Sequence, residues 1–200
     1  AVVVAAAWLA GSVPFSQVLA RRRAGVDLRR LGTGTVSGTS LYHVAGFRAL
    51  AVAGVGDVAK GAVGVLLAGR QRPRLAGIAA AAAVAGHNWS PFLAGAGGRG
   101  LSPAIGALLP YQWPGAATLL TGMTAGRLAR QTAVGTLVAD AALVPVLRRT
   151  GGSAGAWAGA AVLVPMIVKR LAGNGPPAGD RRAVLLWRLL LDRDTPEPAR

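Results

Sequence analysis

The chain alternates long apolar runs with short polar stretches. The runs cover about residues 2–20, 44–69, 75–94, 101–122, 130–147 and 153–171. Each is close to the ~20 residues a helix needs to cross the hydrocarbon core of a bilayer. Several contain Gly or Pro, which break or bend helices, so the pattern predicts six to seven transmembrane helices. The expected fold is all-α, a polytopic membrane helix bundle with short cytoplasmic loops. Any single run also fits a buried helix of a soluble protein, but six in succession do not. Small-residue stretches such as "AGIAAAAAVAG" suit close helix contact in lipid. "GSVPFS" (Gly11 to Ser16) interrupts the first run in mid-membrane, where non-helical backbone must be buried in protein or line a cavity.

After the last run comes "GNGPPAGD", a linker by its Gly and Pro content. "RRAVLLWRLLLDRD" follows, with an apolar core over residues 183–191 that is too short to span. It predicts an interfacial helix lying on the cytoplasmic leaflet with its arginines toward lipid phosphates. The chain therefore divides into a bundle, 1–173, and a linker with tail helix, 174–200.

Composition agrees. Hydrophobic residues make up 52% of the chain, charged residues 14%, and mean hydropathy is +0.46, values that favour a membrane protein. A net charge of +15 would suit nucleic acid, but the basic residues lie between apolar runs rather than along one polar face. They read instead as topology signals and headgroup contacts, with no nucleic-acid partner. "RRR" (Arg21 to Arg23) follows the run Ala1–Ala20 rather than preceding it, so that run is expected to be a retained first span. Placing the N-terminus outside puts residues 21–43, 95–100, 123–130 and everything after about 171 in the cytoplasm. The bias favours this orientation, although Arg70, Arg72, Arg74, Arg148 and Arg149 then fall outside. Tyr111 and Trp113 would mark the outer interface and Trp89 the inner one. There is no cysteine, hence no disulfide and no thiolate chemistry.

Three polar stretches fall on the expected inner side. "DLRRLGTGTVSGTS" (Asp27 to Ser40) packs three glycines and five hydroxyls into nine residues. Glycines let successive N–H groups face one anion, and hydroxyls add donors. The spacing is neither a P-loop nor a dinucleotide fingerprint, and a flexible loop fits equally. In "DVAKG", Asp57 and Lys60 lie three apart on one helical face and pair, either as a structural ion pair or as a polar cavity floor. "GHNWSPFLAGAGGRG" (Gly86 to Gly100) sets His87 and Asn88 before Arg99 among glycines, a fork for phosphate beside open backbone. "RQTAVGT" (Arg130 to Thr136) adds hydroxyls at a helix start, and Asp140 beyond it is expected to be structural. The two histidines and scattered carboxylates form neither a triad nor a metal-ligand pattern, and no cofactor motif is present. What remains is a set of anion-holding elements for a phosphorylated substrate, in a cavity open to both cytoplasm and lipid. A small transporter with Asp57 and Lys60 in its pathway is the reading from another class.

From "GSVPFS" through "DLRRLGTGT", "DVAKG", "GHNWSPF" and "GGRG" to about Thr136, the motifs resemble, in order, those of the bacterial membrane-integral glycerol-3-phosphate acyltransferases that use acyl-phosphate. The resemblance implies a plasma-membrane helix bundle with its N-terminus outside. It implies transfer of an acyl chain from acyl-phosphate to the 1-hydroxyl of glycerol 3-phosphate, giving lysophosphatidic acid and phosphate, without cofactor. It also implies that Thr33, Gly34 and Thr39, with the surrounding N–H groups, cradle the donor phosphate, and that Gly32 belongs to the substrate site. Arg99 with Arg29 would hold the acceptor phosphate, and His87 would orient a substrate or loop as the catalytic residue. Ser12, Lys60, Gly98, Gly100 and Thr136 would complete the substrate site. The sequence departs from the family pattern at several places. "GTGTVSGTS" has Thr35 and Ser40 where the family has Asn, "GGRG" replaces "GGKG", and Val164 and Ile167 stand where a "HxxNxxRL" element has His and Asn. An inactive or substrate-shifted paralogue that binds a lipid or phosphorylated metabolite is the alternative.

Overall fold

The computed structural model describes residues 1–177 and 179–195. Ala178 and residues 196–200 of the expected linker and tail lie outside the described residues. The described chain forms eight helices: α1 Val2–Ser12, α2 Phe15–Ala24, α3 Gly38–Ala68, α4 Pro73–Asn88, α5 Leu101–Leu108, α6 Trp113–Leu128, α7 Thr132–Ala172 and α8 Arg181–Leu191. Two 3₁₀ turns, Leu28–Arg30 and Pro91–Leu93, lie in the loops. Among the described residues three stretches are long and apolar enough to cross a membrane: Val2–Ala24, Gly38–Ala68 and Thr132–Ala172.

The surface is that of a protein in lipid. On α3, Val52, Val55 and Leu66 face outward, 60%, 72% and 56% exposed, while Asp57 and Lys60 on the same helix are buried. In water this distribution would be reversed. Inside, Val65, Leu108, Leu119, Leu143, Leu147, Val162 and Met166 form the main apolar cluster. Small residues bring backbones together around it. Gly11 packs on Ala83, Gly61 on Pro103 and Gly106 on Val58, with no room for a side chain at any of the three. These contacts join α1 to α4 and α3 to α5; α6 packs along the first half of α7, and α4 against the second.

Several boundaries differ from those the hydropathy pattern predicts. The break at Val13–Pro14 falls where expected, separating α1 from α2. However, α3 begins at Gly38, ahead of the apolar run, because Ser37 caps it: its Oγ accepts from the Ser40 N–H at 3.2 Å. Thr39 and Ser40 are therefore helical, not loop. The run at 75–94 stops being helical at Asn88, since Pro91 forces Ser90 into extended backbone. The run at 101–122 is two helices, α5 and α6, parted at residues 109–112 around Pro110.

The runs at 130–147 and 153–171 are the two halves of α7, which the chain passes through without a loop, and the break between them falls where the pattern puts it. A straight helix of its 41 residues would reach about 60 Å, twice the hydrocarbon core. Instead the chain reverses at Gly152, whose φ of 60° and ψ of −144° are open only to glycine at low cost. Gly155 then packs on the Leu147 carbonyl, so the two halves run back to back. Gly46 does the same within α3, folding residues 38–45 against Leu50. These reversals gather residues 27–37, 89–100, 169–175 and α8 at one end of the bundle. Residues 69–72, 110–113 and 148–153 lie at the other.

Candidate active site

Each polar loop is built by its own residues and then tied to the next. Asp27 is the hub of the first. Its carboxylate accepts from Gln17 Nε2 at 3.0 Å, Arg21 Nη2 at 3.0 Å and Arg29 Nη2 at 2.7 Å. The hydrogen bonds from Arg29 above all, with help from Arg21, hold this carboxyl well below the usual carboxylate range against the opposing effect of burial. Arg29 also donates to the Leu93 carbonyl at 3.5 Å. Its guanidinium thus pairs with Asp27 and reaches the turn after Pro91.

The next segment meets the glycine loop. Val36 N–H donates to the Gly97 carbonyl at 3.2 Å. Asn174 stitches both loops together. Its amide donates to the carbonyls of Gly34 at 3.2 Å and Gly97 at 3.1 Å and to Thr35 Oγ1 at 3.4 Å, and its Oδ1 accepts from Gly97 N–H at 3.3 Å. Thr35 in the loop and Ser40 in the first turn of α3 are local ties. The Thr35 hydroxyl lies 2.9 Å from that of Thr33, and Ser40 Oγ donates to the Thr35 carbonyl at 3.1 Å. Gly98 sits so close to His87 Nε2 and the Val36 carbonyl that any Cβ there would collide with them. Gly34, Gly98, Arg99, Gly100 and His87 thus come together, whereas Gly32, Thr33 and Thr39 are exposed at the edge.

Beneath this layer lies a small cavity of about 10 Å³, lined among others by Ser12, Ser16, Asp57, Lys60, His87 and Gly98. Lys60 Nζ is 2.7 Å from Asp57 Oδ1 and donates to the Val13 carbonyl at 2.7 Å. It therefore ion-pairs with a buried carboxylate and donates to the carbonyl freed where α1 breaks. His87 Nδ1 is 3.8 Å from the same carboxylate. Ser12 is fully buried, and its hydroxyl is used within α1 on the Trp8 carbonyl at 2.7 Å. The Ser12 carbonyl accepts from Ser90 Oγ at 2.7 Å, which ties α1 to the loop after α4.

Arg99 faces a second polar group. Its Nη1 donates to the Lys169 carbonyl at 2.9 Å, and its Nε is 2.7 Å from Asp192 Oδ1. Lys169, 1% exposed, lies over the Trp89 ring at 5.4 Å. Arg170 donates to Thr136 Oγ1 at 3.2 Å and to the Ala133 carbonyl at 2.7 Å, closing the start of α7 onto its end. The tail docks through Arg188, which donates to the carbonyls of Leu171, Ala172 and Gly175 and pairs with Asp194 at 2.7 Å. Burial pushes the Asp192 carboxyl up, while Arg99 and Arg170 draw it down less strongly. Val164 is 62% exposed on the outer face of α7 and Ile167 is half-buried; neither lines the small cavity.

The sequence pattern missed Asn174, Lys169 and Asp192. Asn174 lies in a Gly/Pro stretch that reads as linker, and Lys169 reads as the end of a span. Asp192 sits far along the chain in a tail assigned to lipid. Only the lone amide in "GNGPP" was a signal, a polar side chain with no obvious task in a linker.

Fold and site together define a polytopic integral membrane protein of helices, with basic, glycine-rich loops closed over a polar pocket at one end. The chain belongs to the glycerol-3-phosphate acyltransferase family, whose description "Glycerol-3-phosphate acyltransferase" matches residues 1–174. It is 32% identical over 206 residues to glycerol-3-phosphate acyltransferase 4 of Dehalococcoides mccartyi (strain CBDB1), covering 96% of this chain and 88% of that one. The glycerol-3-phosphate acyltransferase of Synechococcus sp. (strain CC9902) is 31% identical over 191 residues, covering 90% and 95%. The crystal structure of PlsY, an integral membrane glycerol 3-phosphate acyltransferase, in its glycerol 3-phosphate form superimposes with a TM-score of 0.76. It is 23% identical, over 84% of this chain and 86% of that one, and the likeness is one of fold.

Proposed function

We propose that this protein transfers an acyl chain from an acyl-phosphate to the 1-hydroxyl of glycerol 3-phosphate. The acceptor oxygen attacks the acyl carbonyl carbon and the carbonyl-carbon-to-phosphate-oxygen bond breaks. Phosphate leaves and takes up the hydroxyl proton. A mixed anhydride needs no covalent enzyme intermediate, so the protein's work is positioning and charge stabilisation. That fits a site without a nucleophile–base pair.

The observation that carries the reading is the convergence of Gly34, Gly97, Gly98 and Arg99 around Asn174, beside Lys169, in a member of this family. Arg99, with the Lys169 ammonium nearby, would hold the acceptor phosphate. The loop over Gly34 and Gly98 would take the donor phosphate, and His87 would orient the loop through its contact with Gly98. Arg29 shapes the loop from its pair with Asp27, and Lys60 and Ser12 support the floor. The site end faces the cytoplasm of the bacterial plasma membrane, with the N-terminus outside and the tail helix along the inner leaflet.

The test is phosphate release from palmitoyl-phosphate by detergent-purified protein given glycerol 3-phosphate. Release that depends on the acceptor is expected, and Arg99→Ala should raise the acceptor KM. No release above background at millimolar acceptor would overturn the activity. An unchanged KM in the variant would remove Arg99 from the phosphate. Orientation is read with single cysteines at Ser153 and Thr33 of this cysteine-free chain, labelled by a membrane-impermeant maleimide from either side of oriented vesicles.

A further inference from the structure

The end of the bundle opposite the loops holds the larger opening. A cavity of about 440 Å³ lies between α3, α4, α5, α6 and the reversal of α7. That volume is in the range of about 300–1,000 Å³ typical of organic-ligand sites. Its floor is apolar, with Val65, Ala80, Leu108 and Ala158, and its rim carries Arg70, Tyr111, Gln112 and Thr150. Arg72 and Arg74 flank Pro73 at the same rim, and Arg148 and Arg149 lead into Thr150. All five arginines are exposed. Among the described residues none of their side chains makes an ion pair or a hydrogen bond, and no carboxylate lines the cavity.

One guanidinium on the lining of an apolar hollow, Arg70, with four more on the chain next to lining residues Pro73 and Thr150, makes a basic end with no counter-charge of its own, which an anion would relieve. Guanidinium forks suit phosphate oxygens, and a hollow of this depth suits hydrocarbon. Tyr111 and Trp113 at the mouth place the rim at headgroup level. The basic residues here also oppose the usual charge asymmetry, as expected if they bind anionic lipid rather than set topology.

We propose that this rim and cavity form a binding site for an anionic phospholipid, with the phosphate among Arg70, Arg148 and Arg149 and the upper part of one acyl chain in the hollow. The site is separate from the loop cluster at the other end and does not depend on the transfer reaction.

The test uses the full chain with Ser153→Cys beside the cavity, labelled with one fluorophore and titrated in micelles with acyl-brominated lipids. Brominated phosphatidylglycerol should quench the label at a concentration at least five-fold below brominated phosphatidylcholine. Arg70→Gln with Arg148→Gln and Arg149→Gln should bring the ratio below two-fold, and Arg70→Gln alone should lower it part-way. Ala158→Leu, which fills the hollow and leaves the charges, should weaken quenching by both lipids. Inorganic phosphate at tens of millimolar should not reverse the quenching. Equal quenching by the two lipids, a preference that survives removal of the arginines, or displacement by inorganic phosphate would each overturn the proposal. Substitutions of exposed arginines leave the lipid-free melting temperature near the parent's, so a lost preference reports binding.

Discussion

Asp192→Asn tests whether the tail competes with the acceptor for Arg99. The Asp192 carboxylate sits 2.7 Å from Arg99 Nε, on the guanidinium proposed to hold the acceptor phosphate. Binding must break this pair, so its strength is subtracted from acceptor affinity. A fully exposed pair is worth roughly 0.2–1 kcal/mol, and a hydrogen bond to a charged group about 1.5–3 kcal/mol. With the two side chains 17% and 30% exposed, the pair lies between these limits. A value of about 1–2 kcal/mol follows, and since ~1.4 kcal/mol is tenfold, the acceptor KM should fall about 5- to 30-fold. The kcat should hold, because the contact belongs to the free enzyme. The measurement is phosphate release from palmitoyl-phosphate across a range of glycerol 3-phosphate, for the parent, Asp192→Asn, Arg99→Ala and the double variant. In the Arg99→Ala background the second substitution has nothing to release, and KM should not move. An unchanged or raised KM for Asp192→Asn alone would refute the competition and make Asp192 a strut that holds Arg99 in place.

Asn174→Ala removes the amide that ties Gly34 to Gly97 and leaves the Gly97 N–H unpaired. A stability loss of about 1–3 kcal/mol is expected, read as a lower melting temperature in detergent with both substrate KM values raised. Lys60→Met strands the buried Asp57 carboxylate and should cost about 3–5 kcal/mol, while Lys60→Met with Asp57→Asn should cost clearly less than the sum of the singles. Melting temperatures of the four proteins in that cycle measure the coupling, and strict additivity would deny the pair. Asp27 is held ionised by Arg29, so its folded-state pKa lies below the unfolded value of about 3.9. Its contribution is fully present above that unfolded value and is lost as pH falls through the folded one. The melting-temperature gap between parent and Asp27→Asn should be constant above about pH 5 and narrow at lower pH.

Much was legible along the chain. Apolar runs of spanning length, basic residues between them and hydroxyl-rich glycine stretches gave the all-helical membrane bundle, the break at Val13–Pro14 and the pairing of Asp57 with Lys60. These are local properties: hydropathy, backbone freedom and i,i+3 spacing act within one turn or one run. The helix boundaries were less legible, because the cap at Ser37 starts α3 ahead of its apolar run and Pro91 ends the helical part of another run early, whatever the hydropathy of their neighbours.

What only the tertiary structure decided is which groups share a site. Asn174 reaches Gly34 across 140 residues, Arg99 meets Lys169 across 70, and the Asp192 carboxylate lands on Arg99 from a tail the sequence assigns to lipid. Arg29 pairs with Asp27, a partner two residues away that the motif does not announce. The physical reason is that a hydrogen bond or ion pair depends on distance and direction in space. Residue type fixes what a side chain is able to bind, and only packing of the helices fixes what it meets.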